Sequence, residues 1–103
     1  MHYKKILFVF FLIFSSSVFA DDKMVLGLEV YNNKAQCGTC HTLHAADSVG
    51  NIGPNLDQLK LPMSQIIYAV TNGIGVMSAW QGILTDEEIE AVAYYALIVQ
   101  INN

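Results

Sequence analysis

The stretch Cys37-Gly38-Thr39-Cys40-His41 constrains this chain more than any other. Two cysteines three positions apart, with a histidine directly after the second, form the covalent attachment signature of a c-type haem. Each thiol can add across a vinyl group, so that the tetrapyrrole hangs on two thioether bonds. The histidine beside Cys40 then lies under the metal as an axial ligand. Both sulfurs must reach fixed points on one rigid ring while the imidazole meets the iron at its centre. The spacing itself therefore carries the reading.

Other uses of the cysteines fit less well. A thioredoxin-like redox pair belongs in a βαβ context. The sequence has no such pattern, and that reading gives His41 no role. A disulfide between Cys37 and Cys40 would close a very short loop and constrain little of the unfolded chain. A zinc site needs further good ligands, and only His41 and His44 are nearby.

Residues 1–20 read as an address label. Lys4 and Lys5 precede an unbroken apolar run from Ile6 to Phe14. Ser15-Ser16-Ser17 interrupts it, and Val18-Phe19-Ala20 places small or modest side chains where a signal peptidase reads. This is the pattern of a cleaved secretory signal peptide, with the cut expected between Ala20 and Asp21. The apolar run is too short to cross a hydrocarbon core, which needs about 20 residues.

The part expected to remain, 21–103, holds three lysines, no arginine and all nine carboxylates, a net charge of −6. So acidic a surface argues against nucleic acid and anionic membranes as partners. It favours a partner with a basic docking patch. A chain this short is one domain and marginal as a self-supporting core. Such domains usually need a staple, a metal or a cofactor.

The remaining pattern is helical, with no strand signal. Met24, Leu28 and Tyr31 recur at helical spacing and predict a helix over 23–36. Gly27 lowers helix propensity there, which close approach of a second helix would explain. Residues 42–61 read as a loop with one short turn, punctuated by Gly50, Gly53 and Pro54. A helix is predicted from Pro62, tolerated in a first turn, to the stop at Asn72-Gly73. Met63, Ile66, Ile67 and Val70 share one of its faces. Gly73, Gly75 and Gly82 mark a second loop. Thr85 and Glu88 have capping-box spacing and open the last helix. Its buried stripe is Ile89, Val92, Ala93, Ala96 and Val99, and Glu87, Glu88 and Glu90 make a solvated start. Helices joined by two long loops suit a fold whose loops lie against a cofactor.

In this order of features the mature chain resembles a small single-haem class I cytochrome c. Gly27 and Tyr31 are similar to the glycine and aromatic of that family's N-terminal helix. Val92 and Tyr95 are similar to the residues they meet on the C-terminal helix. Gly53-Pro54-Asn55-Leu56 resembles the family's Gly-Pro-x-Leu segment, and Asn72 to Trp80 its methionine-bearing loop. Two positions depart from the pattern. Ser78 stands where the family often has proline, and Trp80 where it often has phenylalanine.

The resemblance implies an all-α class I cytochrome c fold over 21–103, three main helices and two long loops around one covalently bound haem c. It implies attachment at Cys37 and Cys40, and His41 as proximal ligand with its other ring nitrogen bonded to the Pro54 carbonyl. It makes Met77 the distal ligand, a neutral thioether that raises the reduction potential. Gly73 and Gly75 suit close approach of that loop to the ring. Met63 is the rival sulfur, and Met24 lies on the first helix. His44 can reach only the same side of the ring or the solvent. Trp80 is expected to pack against the haem or cap the loop.

The implied function is a periplasmic one-electron Fe(II)/Fe(III) carrier and not an enzyme, because bacteria attach this haem outside the cytoplasm. Its partners would be periplasmic redox proteins: a dehydrogenase, a reductase or a terminal oxidase. No stable membrane insertion is expected after signal cleavage, and the protein would act as a monomer or as a subunit of a hetero-complex. Two alternatives remain: a dedicated cytochrome subunit of a periplasmic dehydrogenase, and an open-site haem protein that binds gas or peroxide. The chain has no arginine for a distal histidine–arginine pair, which weighs against the last.

Overall fold

The computed structural model describes residues 18–101. The apolar run and most of the expected signal peptide lie outside the described residues. Among the described residues are four α-helices: α1 (Val18–Glu29), α2 (Leu56–Leu59), α3 (Met63–Asn72) and α4 (Asp86–Ile101). A short antiparallel pair, β1 (Thr42–Leu43) and β2 (Ser48–Val49), sets Thr42 opposite Val49 and Leu43 opposite Ser48. No helix among the described residues is long and apolar enough to cross a membrane.

The centre of the fold is α4. Its capping box forms as the sequence predicts: Glu88 N–H donates to Thr85 Oγ1 at 3.1 Å, and Thr85 N–H to Glu88 Oε1 at 2.9 Å. Four residues of the expected stripe are buried, and so are Ala91, Tyr95 and Gln100. The extra burial arises because α1, α2 and α3 all pack on this helix. Glu88 is buried rather than solvated. Its other carboxylate oxygen pairs with Lys34 Nζ, which compensates the loss of water.

Helix α1 begins earlier than predicted, since nothing between Val18 and Lys23 breaks a helix and Asp21 suits its positive end. It crosses α4 at Gly27. A Cβ there would lie 2.3 Å from the Ala91 carbonyl oxygen and 2.5 Å from Tyr95 Cβ. The buried line continues through Val30 and Tyr31, at the i+3 and i+4 spacing of one helix face. Leu28, predicted for that line, is exposed, because the contact is centred on Gly27. Beyond Glu29 the helix changes pitch. Val30–Lys34 forms a π turn, closed by Ala35 N–H to Val30 O at 2.8 Å. Gln36, with φ 50°, then swings the chain out.

Tyr31 and Tyr95 meet with ring centroids 6.1 Å apart and planes tilted by 53°. With Val30, Leu43, Leu84, Ile89 and Val92 they form the core. Residues 42–61 are more ordered than the predicted loop. The ladder has two residues per strand and α2 has four, too few for any period to show. Near the far end, Gln100 Nε2 donates to Leu61 O at 2.7 Å, and the Gln100 carbonyl accepts from Lys60 Nζ. These bonds tie the entry of α3 to the last turns of α4.

Helix propensity alone favours Gly27→Ala by about 1 kcal/mol. Overpacking against Ala91 costs about 1–3 kcal/mol, so thermal unfolding of the variant should show a lower midpoint; a higher one refutes the crossing. The Lys34 hydrogen bond holds Glu88 below the usual carboxylate range, and the same bond holds Lys34 above the usual lysine range. The stability they contribute is full between those ranges. It is lost as pH falls through the lowered pKa of Glu88, or rises through the raised pKa of Lys34. Urea unfolding of Glu88→Gln should therefore show a deficit at neutral pH that closes in acid.

Candidate functional site

Cys37–Thr39 form a single 3₁₀ turn. The amides of Cys40 and His41 both donate to the Cys37 carbonyl, at 3.2 and 3.0 Å, and curl the pentapeptide into one compact loop. The chain after β2 runs against this loop at van der Waals limits. A Cβ on Gly50 would lie 2.6 Å from the Gly38 carbonyl oxygen, and one on Gly38 would lie 2.7 Å from Ser48 Cβ. Thr42 Oγ1 donates to Gly50 O at 2.8 Å. Ser48 Oγ lies 2.8 Å from the Tyr31 hydroxyl and so connects this layer to the helix crossing. Burial pushes the Tyr31 phenol up to about 12, against the pull of the Ser48 bond. It stays neutral at physiological pH.

His41 Nδ1 lies 2.7 Å from the Pro54 carbonyl oxygen, as the sequence leads one to expect. A carbonyl only accepts, so Nδ1 carries the proton and Nε2 keeps its lone pair for a metal. Gly53 N–H donates to Cys40 O at 2.7 Å and fixes this segment beside the ring. A Cβ on Gly53 would lie 2.7 Å from the imidazole Cε1. His44 is exposed. Its amide rather than its ring is engaged, donating to Asp57 Oδ2 at 2.9 Å. Asn55 Oδ1 in turn accepts from Asp57 N–H at 2.9 Å and starts α2.

Cys37 and Cys40 are both part-buried, and no disulfide joins them. Among the described residues no group of three or more His, Cys, Asp or Glu side chains is placed to hold a metal ion.

Met77 is positioned by a different element. Ile74 and Met77 exchange backbone hydrogen bonds at 3.2 and 2.9 Å around Gly75-Val76, a tight hairpin. Gly75 takes φ +57° and faces open space, so glycine serves the turn there. At Gly73 a Cβ would lie 2.5 Å from the Met77 carbonyl oxygen. Both glycines thus have reasons within the loop itself. The loop then returns to α3: Trp80 N–H donates to Val70 O at 2.9 Å and Gln81 N–H to Thr71 O at 3.3 Å. These bonds satisfy carbonyls that a helix end leaves open. Cys37, Cys40, His41 and Pro54 thus form one cluster, and Met77 stands on its own scaffold. Met63 opens α3, while Met24 and Trp80 pack against the core. Sequence reasoning gave no role to Gly38, Ser48 or Asp57, and treated Gly50 only as punctuation; their contacts are long-range and carry no local signal.

The protein's own apolar surface tests whether a haem fits. No residue of α3 is buried. Met63, Ile66, Ile67 and Val70 on its apolar face are only half-covered, as are Leu56, Met77 and Trp80. A flat apolar group lying against such surfaces removes them from water, so these residues fit it. A cavity of about 620 Å³ between α1 and α4 lies elsewhere, among Asp22, Lys23, Glu87, Glu90 and Tyr94. There Lys23 pairs with Glu90 and stands 5.0 Å from the Tyr94 ring centroid.

Gly53→Ala should displace the imidazole and break its bond to Pro54. The haem-loaded variant should unfold at lower temperature, with a loss of about 1–3 kcal/mol, and its absorption spectrum should gain a high-spin component. An unchanged spectrum would separate Gly53 from His41.

Comparison with known proteins identifies the family. Residues 23–95 match the family described as cytochrome c oxidase, cbb3-type, subunit III. The chain is 35% identical to cytochrome c6 of Tetradesmus obliquus over 82 residues, 70% of this chain and 85% of the relative. It is 35% identical to cytochrome c6 of Leptolyngbya boryana over 75 residues, 69% of this chain and 86% of the relative. The crystal structure of the c-type cytochrome SorU from Sinorhizobium meliloti superposes with a TM-score of 0.72 and 52% sequence identity, covering 77% of this chain and 92% of that one. With the attachment pentapeptide, the imidazole and the helix crossing all in place, the chain belongs to the class I c-type cytochromes and carries one covalently bound haem c.

Proposed function

We propose that this protein is an exported, periplasmic one-electron carrier whose iron is held between His41 and Met77. The observation that carries this reading is the 2.7 Å contact between His41 Nδ1 and the Pro54 carbonyl. That bond fixes the tautomer, orients the ring and raises the basicity of Nε2. Cys37 and Cys40 provide the two thioether sulfurs. When bound, haem c supplies an iron that gains and loses a single electron. Met77 offers its sulfur from a hairpin built independently of the pentapeptide, and a neutral thioether favours the reduced state. Both ligands stand on hydrogen-bonded backbone, so the protein rearranges little between oxidation states. No bond in a substrate is made or broken. Likeness to SorU and the cytochromes c6 supports the carrier role. The leader pattern of residues 1–20 supports export, with α1 of the secreted form starting near Asp21.

The oxidised protein should show the near-infrared sulfur-to-iron charge-transfer band. Met77→Ala should abolish it, open the site to carbon monoxide, and lower the potential by more than the roughly 59 mV that a tenfold change in preference represents. Met63→Ala should keep the band. Survival of the band in Met77→Ala would move the ligand to Met63, and a high-spin wild type would favour an open-site haem protein instead.

A further inference from the structure

Three hydrogen bonds in one register stitch the end of the pentapeptide to the segment around Pro54. Gly53 N–H donates to the Cys40 carbonyl at 2.7 Å, His41 Nδ1–H to the Pro54 carbonyl at 2.7 Å, and His44 N–H to Asp57 Oδ2 at 2.9 Å. Each rung joins residues 13 positions apart. The first two use the backbone of residues 53 and 54; the third uses a side chain from that segment. The Asp57 amide donates to Asn55 Oδ1 at 2.9 Å, which sets the residue in place. Its other oxygen, Oδ1, is cut off from solvent by protein atoms and accepts no hydrogen bond among the described residues. A bound haem can only add to that cover. An asparagine would accept from the His44 amide as well, so this bond does not require a charge. A carboxylate oxygen withdrawn from water without a donor costs stability, and such an atom in a folded protein calls for a reason. Lys23 and Lys34 pair with Glu90 and Glu88 on α4, not with Asp57.

We propose that Asp57 is a positioning residue of the haem site that also tunes its reduction potential: the carboxylate closes the third rung behind His41 and holds there a negative charge that favours Fe(III). The proposal rests on His41 as the iron ligand of an electron carrier and says what adjusts that carrier's potential. Oxidised iron carries one more positive charge than reduced iron, so a nearby carboxylate stabilises it more. Water and salt screen exposed carboxylates such as Asp22 and Glu87, but solvent does not reach Oδ1. The Asp57 charge is therefore screened less and acts at longer range. Met77 pulls the other way, since a neutral thioether favours the reduced state. Asp57 thereby offsets part of the rise in potential that the methionine brings. The step itself moves a single electron: Fe(III) takes it from the donor and becomes Fe(II), with no bond made or broken.

Redox titration of the haem-loaded protein with mediator dyes, followed by visible and near-infrared spectra, tests this. Asp57→Asn keeps an acceptor for the His44 amide and removes the charge. Its preference for Fe(II) should rise about tenfold, which is about 59 mV, with the low-spin spectrum and the sulfur-to-iron band retained. Asp57→Ser, a second neutral acceptor, should rise likewise and keeps the test open if the asparagine variant does not fold. Asp57→Ala also loses the rung, so its unfolding midpoint should fall below that of either. Asp22→Asn, the same charge removed from an exposed site on α1, should leave the potential as it was. An unchanged or lower potential in the neutral variants overturns the proposal. So does an equal shift in Asp22→Asn, which assigns the effect to net charge, and so does a shift seen only with loss of the sulfur-to-iron band. The two levels stay distinct. A wild type that takes up no electron from the dyes fails as a carrier, whereas one that cycles normally, at a potential the Asp57 variants share, fails only in the role of Asp57.

Discussion

At Gly27 the backbones of α1 and α4 meet with no side chain between them, and the placing of the imidazole is transmitted from that contact. Tyr31, one turn further on, is locked against Tyr95 and hydrogen-bonded to Ser48. Ser48 lies on β2, whose pairing with β1 keeps Gly50 pressed to the pentapeptide. A few residues later Gly53 bonds Cys40 and lies against the His41 ring. Every link is backbone or a side chain with a partner. A shift at the helix crossing therefore has few soft joints in which to dissipate before it reaches Nε2.

The same economy shows in the core. Among the described residues seven buried side chains cluster on and around α4, while the apolar face of α3 stays half-covered. A domain of this size buries a smaller fraction of its surface than a larger one does, and it gains from any further apolar body. A haem lying against the face of α3 would therefore also stabilise the domain. Leu56, Trp80 and the stripe of α3 are apolar although protein alone does not enclose them, which fits such a contact.

Much of this was legible in the sequence wherever a short stretch encodes its own geometry. The pentapeptide, the Gly-Pro segment, the capping box at Thr85 and Glu88, and the stop at Gly73 each act through residues close in the chain. Gly27 was legible because a glycine inside a helix demands a neighbour. What escaped notice depends on distant partners. Leu28 and Val30 compete for one line, and only the crossing point on α4 decides between them. The π turn at Val30–Lys34 has no compositional mark. Two-residue strands show no alternation. Burial of Glu88 depends on Lys34, 54 positions away.

Ser78 lacks the fixed φ that a proline would give the methionine loop. The restraint comes instead from the Trp80 and Gln81 amides, which complete the ladder of α3 at Val70 and Thr71. The loop and the final helical turn are thereby one cooperative unit. Moving the Met77 loop must fray that turn as well, so the hold on this flap is set by the helix that it caps.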